Sequence, residues 1–183
     1  ISHSFYVRHP EIFFDFYRKK MIHPTAKPNA AHQKLAQLEA KGKLKAIITQ
    51  NIDGLHAPAQ EVLELHGSVH RNHCVRCGRA YALADILASE GVPRCSCGGI
   101  IKPDVVLYEE PLDEAVLDRA VCHIRQADLL LIGGTSLNVY PAAGLIRYFQ
   151  GRDLVIINRE PTPADRRASL VIQGSIGEIF AAL

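Results

Sequence analysis

A run of polar side chains follows an apolar segment in the first third of this 183-residue chain. The segment Thr49-Gln50-Asn51-Ile52-Asp53-Gly54-Leu55-His56 comes at the end of a predicted strand over Leu44–Thr49. Its amide, carboxylate and imidazole groups can donate or accept hydrogen bonds, and ligands in open α/β folds bind at the carboxyl ends of strands. The segment therefore predicts a ligand-binding loop.

A histidine at the end of a second short apolar run is the next candidate. His66 follows Leu63-Glu64-Leu65 and precedes Gly67. A half-buried imidazole at such a position can titrate near neutral pH and act as a general base. Placement alone leaves open a structural role in the core. Two further histidines, His70 and His73, flank the cysteines described next and could join a mixed metal site.

Four of the five cysteines have the spacing of metal ligands. They form a C-x2-C pair and a C-x-C pair: Cys74, Cys77, Cys95 and Cys97. Four thiolates close a tetrahedral shell around Zn²⁺ and leave no position for water or substrate, so the pattern predicts a structural zinc site. Free thiols are the alternative, because the C-x-C pair is tighter than usual. Cys122 stands alone in a predicted helix and is expected to be a small buried residue.

Two later strands also end in polar residues. Gly133-Gly134-Thr135-Ser136 follows the apolar run Asp128–Ile132, and Asn158-Arg159-Glu160 follows Leu154–Ile157. Glycines let a backbone approach phosphate or ribose, and an acid at a strand end can bind both ribose hydroxyls of a dinucleotide. A plain strand–helix turn is the alternative for the first segment, because the G-x-G-x-x-G fingerprint does not occur in the chain.

The apolar pattern alternates between strands and helices. Helices are predicted over Pro10–Arg18, from the cap Asn29 to Gly42, over Asp113–Gln126, over Ala142–Phe149 and from Ile176, and a short strand over Val105–Tyr108. Strands that are apolar on both faces predict a buried, Rossmann-like parallel sheet with helices on both faces, an α/β fold. Residues 68–104 differ in character and predict a small inserted zinc-binding module, with 1–67 and 105–183 as the Rossmann-like domain.

The composition excludes several function classes. A net charge of +2, with 22% charged residues, gives no reason to expect nucleic acid or an anionic membrane as partner. Arg71, Arg76 and Arg79 near the cysteines could serve nucleic acid, but no set of stacking aromatics accompanies them. The apolar runs are too short to span a bilayer and no secretory signal is visible, so we expect a cytoplasmic protein. Because the chain begins at Ile1 rather than Met, we expect its true start to lie upstream.

Together these motifs resemble the sirtuins, the NAD-dependent protein lysine deacylases, and among them the bacterial members. The resemblance runs from about Phe13 to the end of the chain, in the family's order. Thr49–His56 resembles the nicotinamide-pocket segment, His66-Gly67 the catalytic histidine motif, and the four cysteines the zinc module. Lys102–Glu109 resembles the segment that pairs with the substrate peptide.

The resemblance implies a role for each of these residues. His66 would be the general base on a ribose hydroxyl, and Asn51 and Asp53 would assist catalysis. The implied NAD-binding residues are Gln50, Asn51, Ile52 and Asp53 on the nicotinamide side, and Gly134, Thr135, Ser136, Asn158, Arg159, Glu160 and Ile176 elsewhere. The implied substrate-binding residues are Val105, Val106, Leu107 and Tyr108, beside which an acylated-lysine peptide would add as a strand.

The implied reaction moves the acyl group from lysine to ADP-ribose and releases nicotinamide. Two other functions stay open: a mono-ADP-ribosyltransferase, and a catalytically impaired protein that binds ADP-ribose or acts through its zinc ribbon. The glycine-rich pyrophosphate loop of sirtuins has no counterpart in the 183 residues, and a protein that lacked it would bind NAD weakly. Tyr17 is followed three positions later by Lys20, whereas sirtuins that prefer acidic acyl groups have Tyr-x-x-Arg, so we expect simple acyl groups such as acetyl.

Overall fold

The computed structural model describes residues 1–182. Its helices and helical turns are α1 (His3–Arg8), α2 (Pro10–Phe16), a π-helical turn (Tyr17–Met21), α3 (Ala30–Ala40), α4 (Leu83–Ala88), α5 (Glu114–Gln126), two 3₁₀ turns (Ala142–Tyr148 and Asp165–Arg167) and α6 (Ile176–Ala181). Its strands are β1 (Ile47–Thr49), β2 (Val62–Glu64), β3 (Gly67–Cys74), β4 (Ala80–Ala82), β5 (Ile101–Val105), β6 (Leu129–Gly133), β7 (Asp153–Asn158) and β8 (Leu170–Gln173). None of the described helices is long and apolar enough to cross a membrane.

The chain divides into two compact units. The first comprises residues 1–26, 49–54 and 64–113, and the second comprises residues 27–48, 55–63 and those from 114 onward. Residues 68–104, predicted as a zinc-binding module, lie in the first unit together with residues on either side of them. The division into a Rossmann-like domain and a zinc module stays a prediction.

The first unit is built on an antiparallel sheet of order β4-β3-β5. Aromatic residues of α2 and of the π-helical turn supply its core, because Phe13, Phe14 and Tyr17 are all fully buried. The Phe13 and Phe14 rings meet edge to face with centroids 5.1 Å apart, a favoured geometry for aromatic pairs. Pro10 occupies the first turn of α2, as predicted, and the helix passes into the π-helical turn that begins at Tyr17.

The strand that leads towards the predicted peptide-binding segment ends earlier than expected. β5 ends at Val105, which pairs with Gly67 of β3, so the predicted strand over Val105–Tyr108 is wrong beyond its first residue. The chain turns there because the Leu107 N–H donates to Glu110 Oε2 at 2.9 Å. Glu109, in the same turn, has a left-handed φ of 78°. A short apolar run cannot show where such a turn interrupts the sheet ladder.

The second unit contains a parallel sheet of order β6-β7-β8, which confirms the predicted parallel α/β sheet. The central strand is the most buried: Leu154, Ile156 and Ile157 of β7 are all buried. The outer strands are less so, since Leu129 of β6 is 52% exposed and Leu170 of β8 is 50% exposed. The expectation of strands buried on both faces thus holds best for β7, which has a neighbour on each side.

Two helices pack on this sheet as the sequence pattern indicates. α3 begins at its predicted cap, where Asn29 Oδ1 accepts a hydrogen bond from the His32 N–H at 3.2 Å. Ala31 of α3 and Phe180 of α6 share a buried cluster with Ile157. This packing brings α6 to the sheet edge at which the polar strand ends lie.

Two local predictions in the second unit are corrected by the structure. The helix predicted over Ala142–Phe149 is a 3₁₀ turn over Ala142–Tyr148, and Gly144 within it disfavours an α-helix by about 1 kcal/mol relative to alanine. Cys122 is exposed rather than buried, because the buried face of α5 carries Ala120 and Ile124 instead.

Candidate active site and metal centre

The polar loop that follows β1 is held in place by residues of and next to β3. Three of its carbonyl oxygens each receive a hydrogen bond from the segment 66–70, two from imidazole rings and one from a backbone N–H. The pairs are Gln50 O with His66 Nδ1 at 2.9 Å, Ile52 O with Val69 N at 3.0 Å, and Asp53 O with His70 Nε2 at 3.1 Å. The loop and the candidate catalytic histidine are therefore one local structure within the first unit.

The hydrogen bond from His66 determines which ring nitrogen is available for chemistry. A carbonyl oxygen only accepts, so Nδ1 of His66 carries the proton that it donates to Gln50 O. In the neutral ring Nε2 then has the lone pair, which is the arrangement of a general base whose other ring nitrogen is held by a backbone carbonyl. The structure thus brings His66 to the loop that contains Gln50, Asn51 and Asp53, as the motifs predicted.

Gly67 allows the strands on either side to approach closely. Its φ is +75°, and a Cβ built on it would lie 1.8 Å from the Asp104 carbonyl oxygen of β5. The neighbouring carbonyl of His66 accepts from the Val106 N–H at 3.0 Å. Only glycine fits this position, so Gly67 sets the direction in which β3 continues from His66.

His70 has a place in the site that the sequence pattern did not indicate. Besides its bond to Asp53 O, its ring lies over Gly54, where an added Cβ would come within 2.6 Å of it. His73 instead pairs with the Asp104 carboxylate. Neither histidine belongs to the one candidate metal-ligand group found among the described residues, so a mixed His/Cys site is excluded for that group. Sequence spacing alone carried no signal for the role of His70.

The four cysteines converge as a metal site requires. Their sulfur atoms all lie within 4.8 Å of one another. Cys74 and Cys97 Sγ are 3.4 Å apart, and Cys77 and Cys95 Sγ are 3.6 Å apart. A tetrahedron with Zn–S bonds of about 2.3 Å has edges of about 3.8 Å, so the donor set fits Zn²⁺.

The surroundings of the Cys74 and Cys95 sulfurs favour the thiolate form that binds metal. The Arg76 N–H lies 3.4 Å from Cys74 Sγ. Hydrogen bonds from the Cys97 backbone and the Tyr81 side chain lower the pKa of the Cys95 thiol to about 5. Gly99 has no room for a side chain, because a Cβ there would lie 2.6 Å from Cys74 Sγ. With four protein ligands no coordination position is left for substrate, which makes the zinc structural.

In the second unit, the segments that follow β6, β7 and β8 meet at one edge of the parallel sheet. Gly133 pairs with Ile157, so β6 and β7 end side by side. The Gly134 N–H donates to Ile157 O at 3.1 Å, and the Gly174 N–H donates to Asn158 O at 3.0 Å. The predicted residues Gly134, Thr135, Ser136, Asn158, Arg159 and Glu160 therefore share the carboxyl edge at which α/β sheets bind ligands.

Ile176, the first residue of α6, closes one side of this edge. A Cβ on Gly133 would lie 2.2 Å from Ile176 Cδ1, so that glycine lets the helix start directly against the strand end. Gly134 has a left-handed φ of +63°, and the Thr135 hydroxyl accepts from the Leu137 N–H at 3.2 Å. After the glycine turn at Gly134 the chain is irregular up to the 3₁₀ turn that begins at Ala142, so the predicted strand–glycine–helix segment is a glycine turn followed by a loop.

The predicted peptide-binding segment is already engaged in hydrogen bonds within the first unit. The Val106 N–H donates to His66 O, the Leu107 N–H to Glu110, and the Tyr108 N–H to Ile1 O at 3.2 Å. Val105 and Leu107 are buried, whereas Tyr108 is 67% exposed. A peptide that paired with these N–H groups would have to replace the bonds they make now.

The fold, the polar edge of the parallel sheet and the four-cysteine cluster define an α/β protein with a candidate ligand-binding edge and a candidate zinc centre. The model of the Sir2 family matches residues 1–141 of the chain. The chain therefore belongs to the Sir2 family, the sirtuins.

Curated relatives agree with this assignment. A protein from Clostridium perfringens named NAD-dependent protein deacetylase is 61% identical over 98% of this chain and 75% of its own length. One of the same name from Cutibacterium acnes is 58% identical over 100% of this chain and 76% of its own length. The chain thus spans about three quarters of these relatives.

Solved structures share the fold. A complex described as Sir2 with p53 peptide and NAD+ superposes with a TM-score of 0.90 at 40% identity, over 99% of this chain and 79% of that one. Sir2Tm bound to a propionylated peptide gives a TM-score of 0.93 at 40% identity, over 99% and 80% of the two chains. These similarities confirm the α/β fold predicted from the sequence.

Proposed function

We propose that this chain is an NAD-dependent protein lysine deacetylase, which transfers the acyl group from lysine to ADP-ribose and releases nicotinamide. Membership of the Sir2 family and the shared name of the curated relatives support the activity. The observation that carries the proposal is the His66 imidazole, whose Nδ1 is bound by Gln50 O so that Nε2 can act as a base.

NAD supplies the ribose that accepts the acyl group and carries nicotinamide as the leaving group. His66 Nε2 would take the proton from a ribose hydroxyl and so make its oxygen a better nucleophile. The Asp53 carboxylate and the Asn51 amide oxygen would stabilise positive charge that develops on the sugar as nicotinamide leaves. Gln50 and Ile52, in the same loop, would contact the nicotinamide side of NAD.

Residues at the sheet edge of the second unit would contact the rest of NAD. The backbone at Gly134 and the hydroxyls of Thr135 and Ser136 suit ribose or phosphate oxygens. Asn158, Arg159 and Glu160 would bind ribose hydroxyls or the neighbouring phosphates, and Ile176 would offer an apolar contact. Their shared position at the carboxyl ends of parallel strands supports these roles.

The second substrate would be a protein or peptide that carries an acylated lysine. We propose that it binds as an extended strand beside Val105, Val106, Leu107 and Tyr108. Since the N–H groups of three of these residues are already bonded, binding would exchange those bonds rather than add to them. Zn²⁺ held by the four cysteines would stabilise the fold of this unit, and we propose that the protein acts in the cytoplasm.

The residues at the family's acyl-recognition position favour a small neutral acyl group. Tyr17 is fully buried, and burial, followed by the charge of Asp104, raises the pKa of its hydroxyl well above the usual range. The phenol is therefore neutral. Lys20 is exposed and lacks the planar fork with which arginine binds a carboxylate at two points. We propose acetyl-lysine as the preferred substrate, and faster turnover of a matched succinyl-lysine peptide would contradict this preference.

The test is a product analysis with an acetyl-lysine peptide and NAD. Mass spectrometry should detect deacetylated peptide, nicotinamide and O-acetyl-ADP-ribose in equal amounts. ADP-ribose attached to peptide or protein would instead indicate a mono-ADP-ribosyltransferase, and no turnover would indicate a binding protein.

His66→Ala is the decisive variant, and His23→Ala, at an exposed histidine, is its control. We expect His66→Ala to lower kcat about 100-fold or more, because general-base catalysis contributes on this scale, while NAD binding measured by calorimetry is largely retained. Unchanged turnover by His66→Ala would remove this residue from the mechanism.

A further inference from the structure

Three arginines around the four-cysteine site donate hydrogen bonds to the same short loop. This loop, Cys95–Gly98, contains the tight C-x-C pair. The bonds run from Arg76 to Cys97 O at 2.8 Å, from Arg79 to Ser96 Oγ at 2.9 Å, and from Arg94 to Gly98 O at 3.2 Å. Every residue from Ser96 to Gly98 is thus held by a guanidinium.

The bonds come from both sides of the metal site. Arg76 and Arg79 flank Cys77 in the first cysteine pair, whereas Arg94 directly precedes Cys95. The two cysteine pairs are therefore linked by side chains as well as by the metal. Arg79 also contacts the Tyr81 hydroxyl, which in turn contacts the Cys95 sulfur.

The loop itself has few other constraints. Its backbone closes through two bonds, from Gly98 N to Cys95 O and from Cys95 N to Gly99 O, each 2.8 Å long. Gly98 adopts a left-handed φ of +84°. A C-x-C pair must aim two neighbouring sulfurs at one ion, so the orientation of this loop determines whether the tetrahedron closes.

Charge gives the arginines a second effect. Four thiolates around Zn²⁺ carry a formal charge of −2, and Cys77 is exposed to solvent. Cationic groups beside such a centre stabilise its negative charge, as residues that hydrogen-bond the ligands do at other metal sites. Arg71 lies in the same strand as Cys74 but pairs with Glu64 at 2.7 Å, so it does not share this role.

We propose that Arg76, Arg79 and Arg94 are positioning residues of the zinc centre: they hold the Cys95–Gly98 loop in its metal-binding shape, offset the charge of the four thiolates, and so slow the release of zinc. This role accounts for the arginines near the cysteines without a nucleic-acid partner. It is independent of the proposed deacetylase activity, because zinc retention is measured without NAD or peptide.

The experiment measures the transfer of zinc from the purified full chain to a chromophoric chelator at neutral pH. The test variant is the triple substitution Arg76→Gln, Arg79→Gln and Arg94→Gln, and Arg71→Gln, in the strand that contains Cys74, is the control. Loss of an outer-shell partner typically weakens metal affinity 10- to 100-fold, so we expect the triple variant to release zinc about tenfold faster. The control should match the parent chain.

A triple Arg→Lys variant tests whether charge takes part, and it should recover part of the lost retention. If the triple glutamine variant does not fold, Arg76→Gln alone decides the question, because its guanidinium makes the shortest of the three bonds. Zinc release by the test variant at the rate of Arg71→Gln overturns the proposal. So would equal release by the lysine and glutamine variants, since it would show that the charge has no effect.

Discussion

Substitution of Gly67 by alanine tests whether the glycine after His66, the candidate general base, is a steric requirement. A residue with a Cβ at the observed φ of +75° is strained by about 1–2 kcal/mol. The new Cβ would also start 1.8 Å from Asp104 O, whereas ordinary contact begins at 3.4 Å. The two backbones would therefore have to separate by more than 1 Å.

That separation has a predictable consequence for neighbouring contacts. The bond from Val106 N to His66 O is 3.0 Å long and would be lost. Each such bond contributes about 1 kcal/mol. With the backbone strain and further loss of pairing between β3 and β5, we expect Gly67→Ala to lower the free energy of unfolding by about 3 kcal/mol or more. Deacetylation should fall as well, because His66 moves with the strand.

Urea unfolding followed by tyrosine fluorescence is a suitable assay, since the chain has six tyrosines and no tryptophan. Gly91→Ala is the matched control from the same unit. Gly91 has a φ of +59° but nothing within 4 Å of an added Cβ, so it reports the strain alone, about 1 kcal/mol. If Gly67→Ala were no less stable than Gly91→Ala and kept full activity, the steric argument would be refuted.

Three further predictions follow from other contacts. His70→Ala removes the donor to Asp53 O and should raise the KM for NAD about fivefold with a smaller effect on kcat. His70→Gln should restore part of the loss. Equal KM values for His70→Ala and the parent chain would contradict a role of His70 in holding the loop. Tyr17→Phe should leave urea stability unchanged or raise it slightly, because the buried hydroxyl has no hydrogen-bond partner among the described residues, and a large destabilisation would reveal a bond. The hydrogen bond from Arg119 is the main cause that holds the pKa of Glu61 below its usual value. This pair therefore stabilises the fold above the unfolded pKa of about 4.3, and the stabilisation is lost as the pH falls through the lower folded pKa. Arg119→Gln should weaken this acid dependence of thermal unfolding, and identical pH profiles of variant and parent would argue against the pair.

Local sequence patterns predicted well which polar groups lie together where the pattern is contained in short segments. The cysteine spacing identified a cluster whose sulfurs lie within 4.8 Å of one another. The polar ends of β6 and β7 do lie together, because the carboxyl ends of parallel strands meet at one edge. His66 does lie beside the loop of Gln50.

The same patterns failed where one sequence pattern is compatible with two different local structures. Val105–Tyr108 reads as a strand, yet β5 ends at Val105 and the Leu107 N–H donates to the Glu110 carboxylate instead of to a neighbouring strand. Cys122 reads as buried, but the helix turns it to the exposed side. In the first case the Glu110 side chain makes the deciding contact, and no spacing rule specifies its partner.

By itself the sequence determined the chemical inventory of this protein: four thiolates, a polar loop after a strand, and an imidazole followed by glycine. Only the tertiary structure decided how those groups are arranged. It placed the His66 proton on Nδ1 through the carbonyl of Gln50, added His70 to the same loop, and turned three arginines onto the Cys95–Gly98 loop. The physical reason is that residue type and spacing set what a side chain can bind. The direction of a side chain and its distance from a partner depend on tertiary contacts, such as the antiparallel pairing of β3 with β4 and β5, which joins segments that are apart in the chain.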